Sequence, residues 1–96
     1  MIKEKKDMLN YFFKQEEMIT VDLHALRSWE AVLLLNDTIQ KADNSIREIV
    51  VIHGYHRGDL LLNLVRQDYR NNRIANKFIG LNQGRTSFIL KNKEDK

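Results

Sequence analysis

Apolar residues recur along this chain at helical spacing in some stretches and at strand spacing in others. Met8, Leu9, Phe12 and Phe13 share one face among charged neighbours, which predicts a short amphipathic helix over 4–17, docked or serving as an interaction arm. Ile19-Thr20-Val21-Asp22-Leu23-His24 alternates, so Ile19, Val21 and Leu23 face one way and Thr20, Asp22 and His24 the other. Ser28 is the expected N-cap of the next helix, with Glu30 in its first turn. Ala31, Leu35, Ile39 and Ala42 form its buried stripe, and Asp43-Asn44 ends it. Trp29, Val32 and Leu33 widen that apolar surface, which calls for cover by the N-terminal helix or a second subunit; Trp29 is expected in the core.

Ile49-Val50-Val51-Ile52 is nearly all β-branched, as in a buried parallel strand. The glycine-bounded stretch His53-Gly54-Tyr55-His56-Arg57-Gly58 follows as a tight loop. A second helix then buries Leu61, Leu62, Val65 and Tyr69, turns Asn63, Arg66, Gln67 and Arg70 to solvent, and stops at Asn71-Asn72. Ile74–Leu81 and Thr86–Leu90 read as strands joined by Asn82-Gln83-Gly84-Arg85, a hairpin connection. The order α-β-α-β-α-β-β predicts one α/β domain over 19–90 with right-handed crossovers and a mainly parallel sheet, the last hairpin adding an antiparallel strand. Residues 1–18 form a separate helix or arm, and 91–96 a flexible tail.

Composition narrows the function classes. The 96 residues suffice for one small core, and the absence of cysteine excludes a disulfide framework, a thiolate metal site and a cysteine nucleophile. No run approaches the roughly 20 apolar residues of a membrane helix, and the charged N-terminus lacks the core of a signal peptide. A cytoplasmic protein without a membrane partner is expected. The formal charge of +3 is unevenly spread. Arg57, Arg66, Arg70, Arg73, Lys77 and Arg85 face only Asp59 and Asp68 across residues 57–85. That excess suits either a solvated basic surface or a nucleic-acid partner.

The candidate chemistry lies at strand ends. In open α/β sheets ligands bind beyond the carboxyl ends of parallel strands. There the chain places Asp22 and His24 after one strand and His53 and Gly54 after the next, so all three histidines, with His56, meet if the strands are neighbours. A histidine beside a carboxylate suits general acid–base work near neutral pH. Glycines at 54 and 58 let the backbone approach a ligand, Arg57 and Arg85 offer charge-assisted bonds to a phosphate, and Tyr55 can stack on a base. Duller readings stand beside these: Asp-x-His is also a turn feature, the glycines also shape turns, and Tyr55 also covers a loop. Three histidines and a carboxylate are credible zinc ligands as well, so a divalent metal is a further reading, with no other cofactor expected.

Taken in order, Val21-Asp22-Leu23-His24, His53-Gly54-Tyr55-His56-Arg57-Gly58 and Asn82-Gln83-Gly84-Arg85-Thr86 resemble the motifs of the Smr domain, the small MutS-related domain. Those motifs are a Leu-Asp-x-His strand end, a Thr/His-Gly-x-Gly loop and a late Asn-x-Gly-x-Thr turn, and the resemblance spans roughly residues 19–90. It implies a two-layer βαβαββ fold with a four-stranded mixed sheet, similar to the C-terminal domain of bacterial translation initiation factor three. It also implies nucleic-acid binding and, in several branches, endonuclease cleavage. Carried over by position, the functional residues are Asp22, His24, His53, Gly54, Asn82 and Gly84. The chain departs from the pattern at His56, where the loop's second glycine is usual, and at Ala25, where many members have glycine.

The expected function is therefore an endonuclease hydrolysing phosphodiester bonds of DNA or RNA, with Asp22, His24, His53 and His56 as the catalytic candidates. Gly54, Tyr55, Arg57, Gly58, Asn82, Gly84 and Arg85 are the candidates for nucleic-acid contact. The alternative is a non-catalytic nucleic-acid-binding module. A monomer and a homodimer are both compatible with the chain.

Overall fold

The two β-branched stretches come together as the pattern requires. In the computed structural model, which describes residues 17–55 and 59–94, β1 (Met18–Asp22) and β2 (Glu48–Ile52) pair in parallel, with Ile19 opposite Ile49 and Asp22 opposite Ile52. Helix α1 (Ser28–Lys41) makes the crossover between them. A one-turn helix α2 (Leu60–Asn63) runs straight into a π-helical turn (Leu64–Asp68), and β3 (Ile74–Phe78) and β4 (Arg85–Leu90) follow. The expected N-terminal helix over 4–17 lies outside the described residues except for Glu17, as do His56, Arg57, Gly58 and the last two lysine-and-aspartate tail positions, 95–96.

The sheet is four-stranded and mixed, in the order β1-β2-β4-β3. The mainly parallel sheet expected from element order is corrected: β4 inserts beside β2 and runs antiparallel to it and to β3. Only the β1–β2 pair is parallel, because the closing hairpin places its second strand inside the sheet and its first at the edge. Arg85 consequently stands opposite Ile52, so the start of β4 meets the end of β2.

One face of the sheet carries the core. Leu23, Ala31, Leu35, Ile49, Val51, Val65 and Phe88 are sealed from solvent, and each large aliphatic or aromatic side chain so buried contributes about 1.5–3 kcal/mol. Tyr69 stacks on Phe88 with ring centroids 5.8 Å apart and donates its hydroxyl proton to Asn36 Oδ1 at 2.6 Å. The predicted stripe of α1, Ala31, Leu35, Ile39 and Ala42, is the buried one. Trp29 departs from its expected place in the core and is 61% exposed, with Leu33 also exposed one turn further on.

Helix α1 starts one residue earlier than Ser28 suggests. Arg27 is the N-cap, fixed because Glu30 Oε1 accepts its backbone N–H at 2.8 Å while its carbonyl accepts the Ala31 N–H at 2.9 Å. Arginine has no accepting group, so only the glutamate half of a capping box forms. At the other end the Arg73 guanidinium donates to the carbonyls of Ile39 at 3.1 Å and Ala42 at 2.6 Å, a cation where the helix dipole favours one. The segment expected as a flexible tail makes specific contacts over its described part: Lys91 N–H donates to the Arg73 carbonyl at 2.9 Å, and Asn44 Nδ2 to Glu94 Oε1 at 2.9 Å.

Candidate functional site

Because β1 and β2 are parallel neighbours, both strand ends open on the same rim. Asp22 is the last residue of β1, and the chain then turns sharply: His24 N–H donates to Asp22 Oδ1 at 3.0 Å and Leu26 N–H to the Leu23 carbonyl at 3.0 Å. The turn needs a left-handed residue, and Ala25 supplies it at φ 71°. The glycine common at this position in Smr motifs would adopt that conformation without a Cβ penalty.

The turn aims His24 back at its own strand. His24 Nδ1 lies 2.6 Å from Asp22 Oδ1, with both side chains more than half exposed. A carboxylate only accepts, so Nδ1 carries the proton and Nε2 is left as the nitrogen for proton transfer. The two hydrogen bonds from His24 hold the Asp22 carboxyl below its ordinary value of 3.8. The turn reading and the acid–base reading of Asp-x-His are thus the same arrangement: the turn is what builds the pair.

The second strand end reaches this pair through glycine. Gly54 adopts φ +72°, and a Cβ there would stand 3.7 Å from His24 Cβ, so the backbone passes directly beside the histidine. The late turn closes the rim. The Gly84 carbonyl accepts from His53 N–H at 2.9 Å and from Gly54 N–H at 3.0 Å, while Gly84 N–H donates to Asn82 Oδ1 at 2.8 Å. A Cβ on Gly84 would lie 3.9 Å from Tyr55 Cδ1. Asp22, His24, His53, Gly54, Tyr55, Asn82, Gly84 and Arg85 are all brought to this rim; His56, Arg57 and Gly58 lie outside the described residues.

His53 has a different character from His24. It is 3% exposed, and both ring nitrogens are engaged: Nδ1 is 2.9 Å from the Gly54 carbonyl and Nε2 is 3.0 Å from Thr86 Oγ1. The carbonyl can only accept, which makes Nδ1 the protonated nitrogen and Thr86 the donor to Nε2. Burial, reinforced by the nearby Arg66 charge and partly opposed by the Gly54 carbonyl, lowers the His53 pKa from 6.5. The ring holds the loop in place as a neutral tautomer.

Two further residues complete this arrangement. Arg66 Nε donates to Thr86 Oγ1 at 2.8 Å, and its Nη2 donates to the carbonyls of Arg85 at 3.0 Å and Asn82 at 3.2 Å. Arg66 therefore leaves the solvent-facing side assigned to it by helical periodicity. It lies in the π-helical turn, where Tyr69 N–H reaches back five residues to the Leu64 carbonyl and the usual face assignment slips. Arg73 and Lys77 are likewise committed to backbone carbonyls, Lys77 Nζ to that of Tyr69 at 2.7 Å. Among the described cations of the basic stretch, Arg70 and Arg85 remain exposed.

Among the described residues no group of three or more histidine, aspartate or glutamate side chains is arranged to hold a metal ion, and no helix is long and apolar enough to cross a membrane. No family model matches the chain, and a search of curated proteins returns no match. The crystal structure of the Smr domain of Thermus thermophilus MutS2 aligns with a TM-score of 0.64 at 22% identity, over 76% of this chain and 98% of that one. The fold is that of an Smr domain. In this Smr fold the motifs of the resemblance occupy one rim, Asp22 and His24 from β1, His53 and Gly54 from β2, Asn82 and Gly84 from the turn before β4. Thr86, already within the late motif, and Arg66, outside every motif, tie that rim together. Only the threonine had a sequence signal.

Proposed function

We propose that this chain is a nucleic-acid-binding Smr-like domain that hydrolyses phosphodiester bonds of DNA or RNA by acid–base chemistry centred on Asp22 and His24. The observation that carries the reading is the exposed pair itself: a carboxylate 2.6 Å from an imidazole, beside a left-handed glycine, on the rim where an α/β sheet takes its ligands. In this reading Asp22 fixes the His24 tautomer, and Nε2 takes a proton from the attacking water or ribose hydroxyl. The leaving oxygen receives its proton from a second acid, for which His56 in the adjoining loop is the candidate. Gly54 permits close approach of a phosphate, and Arg85 offsets its developing charge. Tyr55, with the loop residues Arg57 and Gly58, contributes contact to the nucleic acid, and His53 serves to position Gly54 and the turn at Gly84.

The test is a cleavage panel of labelled single-stranded RNA, structured RNA and duplex DNA, run on the native chain and on His24→Ala and Asp22→Asn. General acid–base groups contribute about 10²–10⁴-fold, so His24→Ala should lose that much rate. Cleavage equal in native and variant preparations overturns the catalytic assignment. Retardation of the same substrates that persists in both variants without any cleavage by the native chain leaves a binding module in its place.

A further inference from the structure

The face of the sheet turned away from α1 is a groove of about 590 Å³, with Val50 and Ser87 at its floor and Met18, Ile52 and Phe78 along it. Val50 takes no part in the core cluster beneath the helices, and Phe78 is 63% exposed. Phe78 and Ser87 are register partners, so the exposed ring stands beside the buried hydroxyl, and apolar side chains interleaved with Thr20, Glu48 and Arg85 run across the sheet from β1 to β3.

The described chain enters this groove at one end. Met18 lines it, and the residue before it is pinned there, because the Glu17 carbonyl accepts Arg47 N–H at 2.7 Å just ahead of Glu48, another groove residue. The 16 residues before Glu17 thus begin at the groove's mouth. They carry Met8, Leu9, Phe12 and Phe13 on one helical face. As a helix, residues 4–16 would be about 20 Å long, against about 14 Å between the outer strands of a four-stranded sheet. A stretch whose apolar residues recur at helical spacing therefore joins the described chain beside the face it could cover.

We propose that residues 4–16 dock on the open face of the sheet through Met8, Leu9, Phe12 and Phe13, adding a third layer to the two-layer domain. The competing surface is the outer side of α1, where Trp29 and Leu33 are exposed. It offers two large side chains one turn apart and lies on the helix side of the sheet, opposite the groove that Met18 lines. Asn82 and Arg85 also line the groove, at its rim end, so docking is tested directly and not through cleavage.

The chain has no cysteine, so Asp7→Cys takes a single nitroxide label on the polar side of the segment, and amide line broadening then maps what the label approaches. The expected result is the strongest intensity loss at Val50, Ile52 and Phe78. That loss should disappear in Asp7→Cys carrying Phe12→Ser and Phe13→Ser. Strongest broadening at Trp29 and Leu33, or none outside the segment's own neighbours, overturns the proposal. So does broadening that persists when labelled chain is diluted into unlabelled isotope-enriched chain, since that assigns the groove to a second copy. Groove amides untouched by the label but shifted by single-stranded oligothymidylate assign it to nucleic acid and overturn it equally.

Discussion

Arg66 holds Thr86, and Thr86 holds His53: the guanidinium donates to Oγ1 at 2.8 Å and the same oxygen stands 3.0 Å from His53 Nε2. Thr86 is 1% exposed, so its removal leaves partners buried without replacement. Thr86→Val keeps the shape and deletes the hydroxyl, at an expected cost of about 1–3 kcal/mol for each donor or acceptor left unpaired. Arg66→Lys keeps the charge but cannot span Thr86 and the carbonyls of Asn82 and Arg85 together, so it should also destabilise. Urea midpoints of both variants check this, and a double-mutant cycle should return a coupling of about 0.5–3 kcal/mol.

The same burial predicts a pH dependence. His53 titrates below 6.5 in the folded chain, so as pH falls from about 6.5 toward the folded value the unfolded chain takes up a proton that the native ring refuses. Stability should decline through that window, well above the range in which the lowered carboxyls of Asp22 and Asp43, with an ordinary value of 3.8, contribute theirs. His53→Gln should flatten the stability profile between pH 7 and the onset of carboxylate titration, as measured by denaturation at a series of pH values. An unchanged profile would count against the neutral, sealed ring.

Ala25 sits at φ 71°, where a Cβ costs about 1–2 kcal/mol. Glycine removes that cost and returns about half of it as chain entropy. Ala25→Gly should therefore raise stability by about 0.5–1 kcal/mol, and Ala25→Val should lower it. Thermal midpoints of the pair decide the matter.

Gly54 presents the opposite case. At φ +72° with His24 Cβ within 3.7 Å of a would-be Cβ, Gly54→Ala meets backbone strain of about 1–3 kcal/mol rather than a clash. Gly84→Ala meets Asn82 Oδ1 at 3.3 Å without a left-handed backbone, so its cost should be smaller and concentrated on the turn. Comparing the two denaturation midpoints tests that ranking.

Pattern carried most of the fold, because α1 buries one regular stripe, β1 alternates, and β2 is apolar after Glu48 and covered on both faces. Leu35 and Val51 could be placed from spacing alone. Arg66 could not, since a π-helical turn shifts residues off the period on which face assignment depends. Trp29 misled for another reason: tryptophan is apolar enough to suggest the core, yet position 29 falls beside the stripe rather than in it. The position of β4 was also beyond the pattern, because hairpin spacing says that two strands pair and not which of them takes the inner place. At the rim, the motifs located Asp22, His24 and Gly54 correctly as neighbours, whereas the division between an exposed and a sealed histidine depended on what the turn at Gly84 brings against His53.

That inner place has a consequence for how the molecule comes into being. A ribosome delivers β4 after β1, β2 and β3, yet β4 is the strand with which β2 and β3 both pair, and it brings Phe88 to the core. Gly84, just ahead of it, and Arg85, its first residue, arrive at the rim in the same step. The nascent chain therefore stays an unjoined β1–α1–β2 unit and a loose β3 until Arg85–Leu90 has emerged. A chain cut short before Thr86 therefore lacks Phe88 and Leu90 in the core and the Thr86 hydroxyl against His53.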